Sequence, residues 1–230
     1  MPDIEITAQD GGSFMAYVAL PAKRPAPALI VIQEIFGVNA EMRTRCDTYA
    51  KEGFLAICPD LFWRQEPGVQ LTDKTEAEWK RAFELYNGFD VDRGIEDLCA
   101  TLSASRKHPD SNGKAGCVGF CLGGKLAYLM AARSDVDCAI GYYGVGIEAQ
   151  LEEAANIKKP LLLHIAEEDK FVGKDAQRKI RDALGKYPQI EMHSYPGVNH
   201  AFARIGGEHY DEAATKLAGT RSCDFLRRTL

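Results

Sequence analysis

The stretch VGFCLGGKLAYLMAAR, residues 118–133, decides how the rest of the chain is read. Its apolar start is strand-like and the Leu-Ala-Tyr-Leu-Met-Ala-Ala run after the glycines is helical, so the segment is a strand, a tight turn and a helix. Gly119 and Gly123 flank Cys121, where such a turn brings the backbone too close to itself for side chains. Cys121 then sits at the tip, with the first helix amides beside it. A helix N-terminus stabilises negative charge and lowers a thiol pKa, which makes Cys121 a candidate nucleophile rather than an inert buried cysteine.

Outward from that turn, strand and helix periods alternate along the whole chain. The alternation predicts an α/β fold with a mainly parallel central sheet and helices on both faces. IEIT and FMAYVAL (14–20) read as an opening antiparallel pair. PALIVIQE (27–34), FLAICPD (54–60), AGCVGF (115–120), CAIGYYG (138–144) and PLLLHIA (160–166) are the apolar runs of strands covered on both faces. IEMHSYPG (190–197) reads as the last strand. Helical patterns occupy 40–52, 75–88, 91–107, 122–134, 174–186 and 209–228, and Asn112-Gly113 supplies a turn before the central strand. There is no repeat or linker, so residues 1–230 are expected to form one domain.

Composition excludes more than it selects. Charged residues at 27% and apolar ones at 46% describe an ordinary globule, and a formal net charge of −5 offers no electrostatic reason to bind nucleic acid or an anionic membrane. No apolar run is long enough to cross a bilayer, and the opening MPDIEITAQD lacks a signal-peptide pattern. The seven cysteines are scattered without Cys-x-x-Cys spacing. Zinc and thioredoxin-type sites are therefore not indicated, and a cytoplasmic protein with reduced thiols is expected.

In open α/β sheets, reactive groups gather at the carboxyl ends of the strands. That rule picks out Glu34, Asp60, Cys121, Tyr143, Asp169 and the loop GVNHAFAR (197–204). A thiol nucleophile needs a base and a group that orients the base. His200 follows the last strand among turn residues; His193 lies inside a strand, His209 opens the terminal helical pattern, and His164 precedes the acidic strand end. HIAEEDKFV offers three carboxylates. Glu167 and Glu168 read as a solvated strand end, Asp175 as a helix-surface charge, and Asp169 as the orienting acid. The Leu122 amide, directly after the nucleophile, is placed to hold a developing oxyanion.

The segments QEIFGVNAEMR, AICPDLFWRQEPG, SNGKAGCVGFCLGGKLAYLMAA, AIGYYGVG, DKFVG and NHAFAR, in this order and nearly end to end, resemble the dienelactone hydrolase family. The resemblance implies an α/β-hydrolase fold with a triad of Cys121, His200 and Asp169. It implies hydrolysis of dienelactone to maleylacetate through a thioester, with no metal or organic cofactor. It also implies that Glu34 takes the thiol proton when substrate arrives, and that the Ile35 and Leu122 amides form the oxyanion hole. Pattern alone leaves Glu34 open between a functional carboxylate and a buried salt bridge or loop hydrogen bond.

A monomer acting on a small anionic lactone or ester is further implied, the substrate carboxylate being held by Arg204 and a second arginine. The position of that second arginine falls on Trp79, with Lys80 and Arg81 next to it, and Arg81 reads equally as clamp or surface charge. Phe83, Tyr86 and Tyr143 match aromatic pocket positions, and Ala201 stands in place of a serine. The segment 62–80 is a candidate lid. Two other readings stand beside this one: a carboxylesterase or thioesterase for another small substrate, and a thiol redox or binding protein that does not turn over.

Overall fold

A computed structural model describes residues 3–230. The chain divides into two compact units, one ending at Gly116 and the other spanning Cys117–Leu230. The first holds β1 (Ile4–Thr7), β2 (Ser13–Ala19), β3 (Ala26–Ile32), α1 (Ala40–Lys51), β4 (Leu55–Pro59), α2 (Glu76–Asn87) and α3 (Val91–Lys107). Its strands lie in the order β1-β2-β4-β3, antiparallel for the first two pairings and parallel between β3 and β4. The parallel pair is buried throughout: Ala28 to Ile32 and Leu55 to Cys58 expose no surface. β2 instead alternates, with Phe14, Ala16 and Val18 inward and Met15 half exposed.

Helix α1 packs on β2, β3 and β4, and α3 on β1, β3 and β4. Side chains set where these helices begin. Asn39 accepts from the Met42 amide, Thr75 from Glu78, and Asp90 from Asp92 and Arg93. Each such cap satisfies first-turn amides that would otherwise lack partners, stabilising by about 1 kcal/mol.

Strand β5 (Ser111–Phe120) runs from the first unit into the second. It begins earlier than expected, so Asn112-Gly113 lies inside it and not ahead of it. Gly113 adopts φ 90° and the Asn112 side chain accepts from the Lys114 amide at 3.0 Å. The turn chemistry is absorbed because the first residues of β5 are not buried and tolerate a local kink.

The second unit continues with α4 (Leu122–Arg133), β6 (Cys138–Tyr142), β7 (Leu161–Ala166), α5 (Lys174–Leu184), β8 (Ile190–Tyr195) and α6 (Glu212–Thr229). Two short 3-10 turns, Ile147–Ala149 and Leu151–Asn156, follow β6. The strand order is β5-β6-β7-β8, with β6, β7 and β8 parallel. A Cβ on Gly141 would come within 2.8 Å of the Gly124 carbonyl on α4, whereas the Tyr142 hydroxyl reaches Ser222 on α6 at 2.7 Å. Adjacent strand residues point to opposite faces, so α4 and α6 cover opposite sides of these strands. An α/β fold, mostly parallel and with helices on both faces, is thus what the alternating pattern predicted. The terminal helix starts later than expected, because Asp211 caps it by accepting from the Ala214 amide at 2.8 Å. His209 therefore lies in the preceding turn.

Candidate active site

Cys121 joins β5 to α4 with φ 55° and ψ −114°, a conformation that L residues adopt only under strain. The turn is held by its own backbone. The Cys121 amide donates to the Tyr142 carbonyl at 3.1 Å, and the Cys121 carbonyl accepts from the Gly124 and Lys125 amides at 3.0 and 3.3 Å. A Cβ on Gly119 would stand 1.9 Å from the Gly123 carbonyl oxygen, a backbone atom that cannot yield. Gly119→Ala is accordingly expected to cost about 3 kcal/mol of stability, read as a lower urea midpoint at unchanged m-value.

His200 and Asp169 lie on loops that follow β8 and β7, both almost fully buried. His200 Nδ1 is 2.9 Å from Asp169 Oδ2. The other Asp169 oxygen accepts from the Phe171 and Val172 amides at 2.8 and 3.1 Å, which fixes the carboxylate plane. His200 Nε2 makes no hydrogen bond of regular geometry among the described residues, and Cys121 acts on the ring chiefly through charge. Burial alone would pull the imidazolium down. The Cys121 charge and the Asp169 hydrogen bond outweigh it and push the His200 pKa up to about 10. The arrangement favours a proton on His200 while Cys121 carries negative charge.

Tyr143 and Phe171 both set their rings edge-on to the imidazole, with centroids 5.0 and 4.8 Å away. Tyr143 is buried, whereas Phe171 is 50% exposed and shields one approach to the ring. Among the described residues, Cys121, Tyr143 and Ala201 are the non-glycine residues with positive φ, and all three adjoin or form this cluster. Asn199 ties the two loops together: its Oδ1 accepts from the Lys170 amide at 3.1 Å and from the His200 amide at 2.7 Å. Asn199→Ala is expected to lower kcat by about tenfold with little change in KM, because the acid and imidazole loops lose their shared anchor. A kcat equal to wild type would show that the Asp169–His200 bond alone suffices.

The remaining sequence candidates divide between the units. Leu122, the first residue of α4, is buried in the second unit, which also holds the half-buried Arg204, whose amide donates to the Ala201 carbonyl at 2.9 Å. Glu34 and Ile35 follow β3 in the first unit and are both buried. Arg81 on α2 is held by Glu66 and, at 3.0 Å, by Glu84, with its side chain 43% exposed. Phe83 on the same helix is exposed and stacks on Trp79 at 5.6 Å, Trp79 in turn standing edge-on to Phe36 at 5.0 Å. Tyr86 is half-buried near the end of α2. The segment 62–80 is tethered: the Leu71 amide donates to the Phe36 carbonyl at 2.9 Å, Gly37 bridges Gln70, and the Gly68 amide donates to Asp60 at 2.7 Å.

Some positioning residues carry sequence signals too faint to act on. Gln33, wholly buried, accepts from the Leu61 amide at 3.0 Å and donates to the Glu34 carbonyl at 3.3 Å, fixing the chain beside Glu34. Its one signal is a polar residue closing an apolar run. Asn199 and Phe171 had none beyond standing next to His200 or Asp169. His164, set aside by chain order, is a structural histidine. It bonds the Tyr195 hydroxyl at 2.7 Å and Ser222 at 2.9 Å, and burial drives its pKa well down.

The model of the dienelactone hydrolase family matches residues 14–230. A protein of Azospirillum brasilense, provisionally named carboxymethylenebutenolidase, is 52% identical over 100% of both chains. The carboxymethylenebutenolidase of Pseudomonas putida is 44% identical over 97% of this chain and 94% of its own. A crystal structure from Klebsiella pneumoniae subsp. pneumoniae, provisionally titled a dienelactone hydrolase, superposes with a TM-score of 0.84 at 28% identity, covering 96% of this chain and 95% of that one.

Proposed function

The chain belongs to the dienelactone hydrolase family and is an α/β-hydrolase acting on a carboxylic ester or lactone; from that premise we propose that it opens dienelactone to maleylacetate through a thioester on Cys121. One arrangement carries the reading: His200 Nδ1 is 2.9 Å from Asp169 Oδ2 while the charge of Cys121 raises the proton affinity of the same ring. Cys121 Sγ, as thiolate, attacks the lactone carbonyl carbon, and the displaced electron pair moves to oxygen, where the Leu122 and Ile35 amides hold it. Collapse breaks the ring C–O bond, forms the thioester and leaves an enolate, still joined to the acyl chain, that takes a proton at carbon. Water then attacks the thioester as His200, oriented by Asp169, accepts its proton. The C–S bond breaks and the thiolate returns.

Glu34 takes the thiol proton in the first step by family resemblance. The raised pKa of His200 favours a second acceptor, the imidazole itself. Arg204 receives the substrate carboxylate, with Tyr143, Phe83 and Tyr86 as pocket walls. Arg81, the other clamp candidate, is engaged by Glu66 and Glu84. We take residues 1–230 as one catalytic domain of a cytoplasmic monomer. Seven free cysteines among the described residues support a reducing compartment.

The test compares kcat/KM for dienelactone with that for its uncharged methyl ester. A desolvated charge pair between the substrate and Arg204 should favour the anion by on the order of a hundredfold. Equal rates for acid and ester, both lost in Cys121→Ala, would make the protein an esterase or thioesterase for another small substrate.

A further inference from the structure

The first unit contains a pocket of about 360 Å³ that the chemistry above does not use. That volume suits a small organic molecule. Phe14 and Trp63, stacked at 5.6 Å, form one wall, and Tyr17, Val38 and Val69 contribute further apolar lining. The cation of the pocket is Arg43 on α1, whose guanidinium lies 5.6 Å above the Tyr17 ring.

Arg43 differs from its neighbours in having no anion among the described residues. Arg45 is paired with Glu41 at 2.5 Å, and Arg64 with Asp97 and Asp10. The Arg43 Nε is buried without a hydrogen-bond partner among the described residues. A buried donor left without an acceptor is costly and is rarely retained without a use. The nearby acid does not answer it. Asp60 spends its two oxygens on the Phe62 and Gly68 amides, at 3.0 and 2.7 Å, and burial pushes its carboxyl pKa up. Asp3 lies at the exposed rim.

We propose that this pocket binds a small organic carboxylate with an apolar or aromatic body, Arg43 taking the carboxylate and the Phe14, Trp63 and Tyr17 rings the body. A single guanidinium in a lining that also holds Asp3 and Asp60 suits a monocarboxylate better than a polyanion, and the planar fork of arginine matches a carboxylate in two hydrogen bonds.

Isothermal titration of the full chain with benzoate and with benzamide, its uncharged counterpart, tests the site. Benzoate is expected to bind at least tenfold more tightly. The preference should persist in Arg204→Gln and disappear in Arg43→Gln. Arg43→Lys, which keeps the charge, should retain part of it. Equal affinity for the two ligands, or no binding of benzoate at millimolar concentration, overturns the proposal in the wild-type protein alone, however the variants fold. A preference lost in Arg204→Gln and kept in Arg43→Gln also overturns it, because the carboxylate would then be held by Arg204.

Discussion

Cys121→Ala is expected to lower kcat/KM for a lactone or aryl ester by about a millionfold, with the melting temperature nearly unchanged. The variant keeps the backbone of the turn. Alanine accepts the same φ of 55° at the same strain as cysteine, and the glycines that permit the close crossing are untouched. What disappears is the protein atom that the proposal bonds to the substrate. Oxyanion-hole amides and binding alone would leave a residual rate above that in water. Mass spectrometry on enzyme quenched during turnover should detect an acyl adduct on Cys121 in the wild type and none in the variant. Substantial turnover by Cys121→Ala would refute covalent catalysis at this residue and move attention to water activated directly by His200.

The second large effect concerns His200. His200→Gln should reduce steady-state kcat by about 10⁴-fold or more, because the proposed mechanism assigns His200 to activate water against the thioester. The pre-steady state separates the two acceptors of the thiol proton. If Glu34 takes it, the variant still acylates with an aryl ester and releases one equivalent of the phenol in a burst before stalling. If His200 takes it, the burst slows as well. Asp169→Asn should fall by about 10⁴-fold through loss of the charge and tautomer that the 2.9 Å bond imposes.

The same histidine ties activity to stability. Its pKa rises from 6.5 in the unfolded chain to about 10 in the fold, so the folded state binds the proton more tightly. The resulting stabilisation is complete below the unfolded value and is lost as pH climbs through the folded one. Urea unfolding of wild type against His200→Gln should therefore show a stability advantage that shrinks between about pH 6.5 and pH 10. An advantage that grows up to about pH 6.5 and stays flat above it would mean that the imidazole is buried neutral and that the charge pairing with Cys121 is wrong.

The parts of the molecule legible in the sequence are those where neighbours along the chain decide the outcome. The strand–turn–helix around Cys121 follows from Gly119 and Gly123 and the change of apolar period. The buried strands 28–32, 55–58 and 138–142 follow from unbroken apolar runs, and the helices near 40, 75 and 91 from their periodicity, with Asn39, Thr75 and Asp90 as the caps the structure adds. Misreadings came where a local signal had two outcomes. Asn112-Gly113 can make a turn or a kink within an exposed strand end, and the terminal helix could begin at several polar residues before Asp211 capped it.

By itself, then, the sequence determined the order and type of the elements and the family, because short-range sterics, capping hydrogen bonds and apolar periodicity act within a few residues. Only the tertiary structure decided which side chains distant in sequence meet. It gave Arg81 to Glu66 and Glu84, made Asn199 the link between the Asp169 and His200 loops, brought the Cys121 charge to bear on His200, and left the Arg43 Nε without a partner among the described residues. Such partnerships depend on packing across tens of residues, and pKa values depend on the burial and charges that packing creates, neither of which is written in any local stretch.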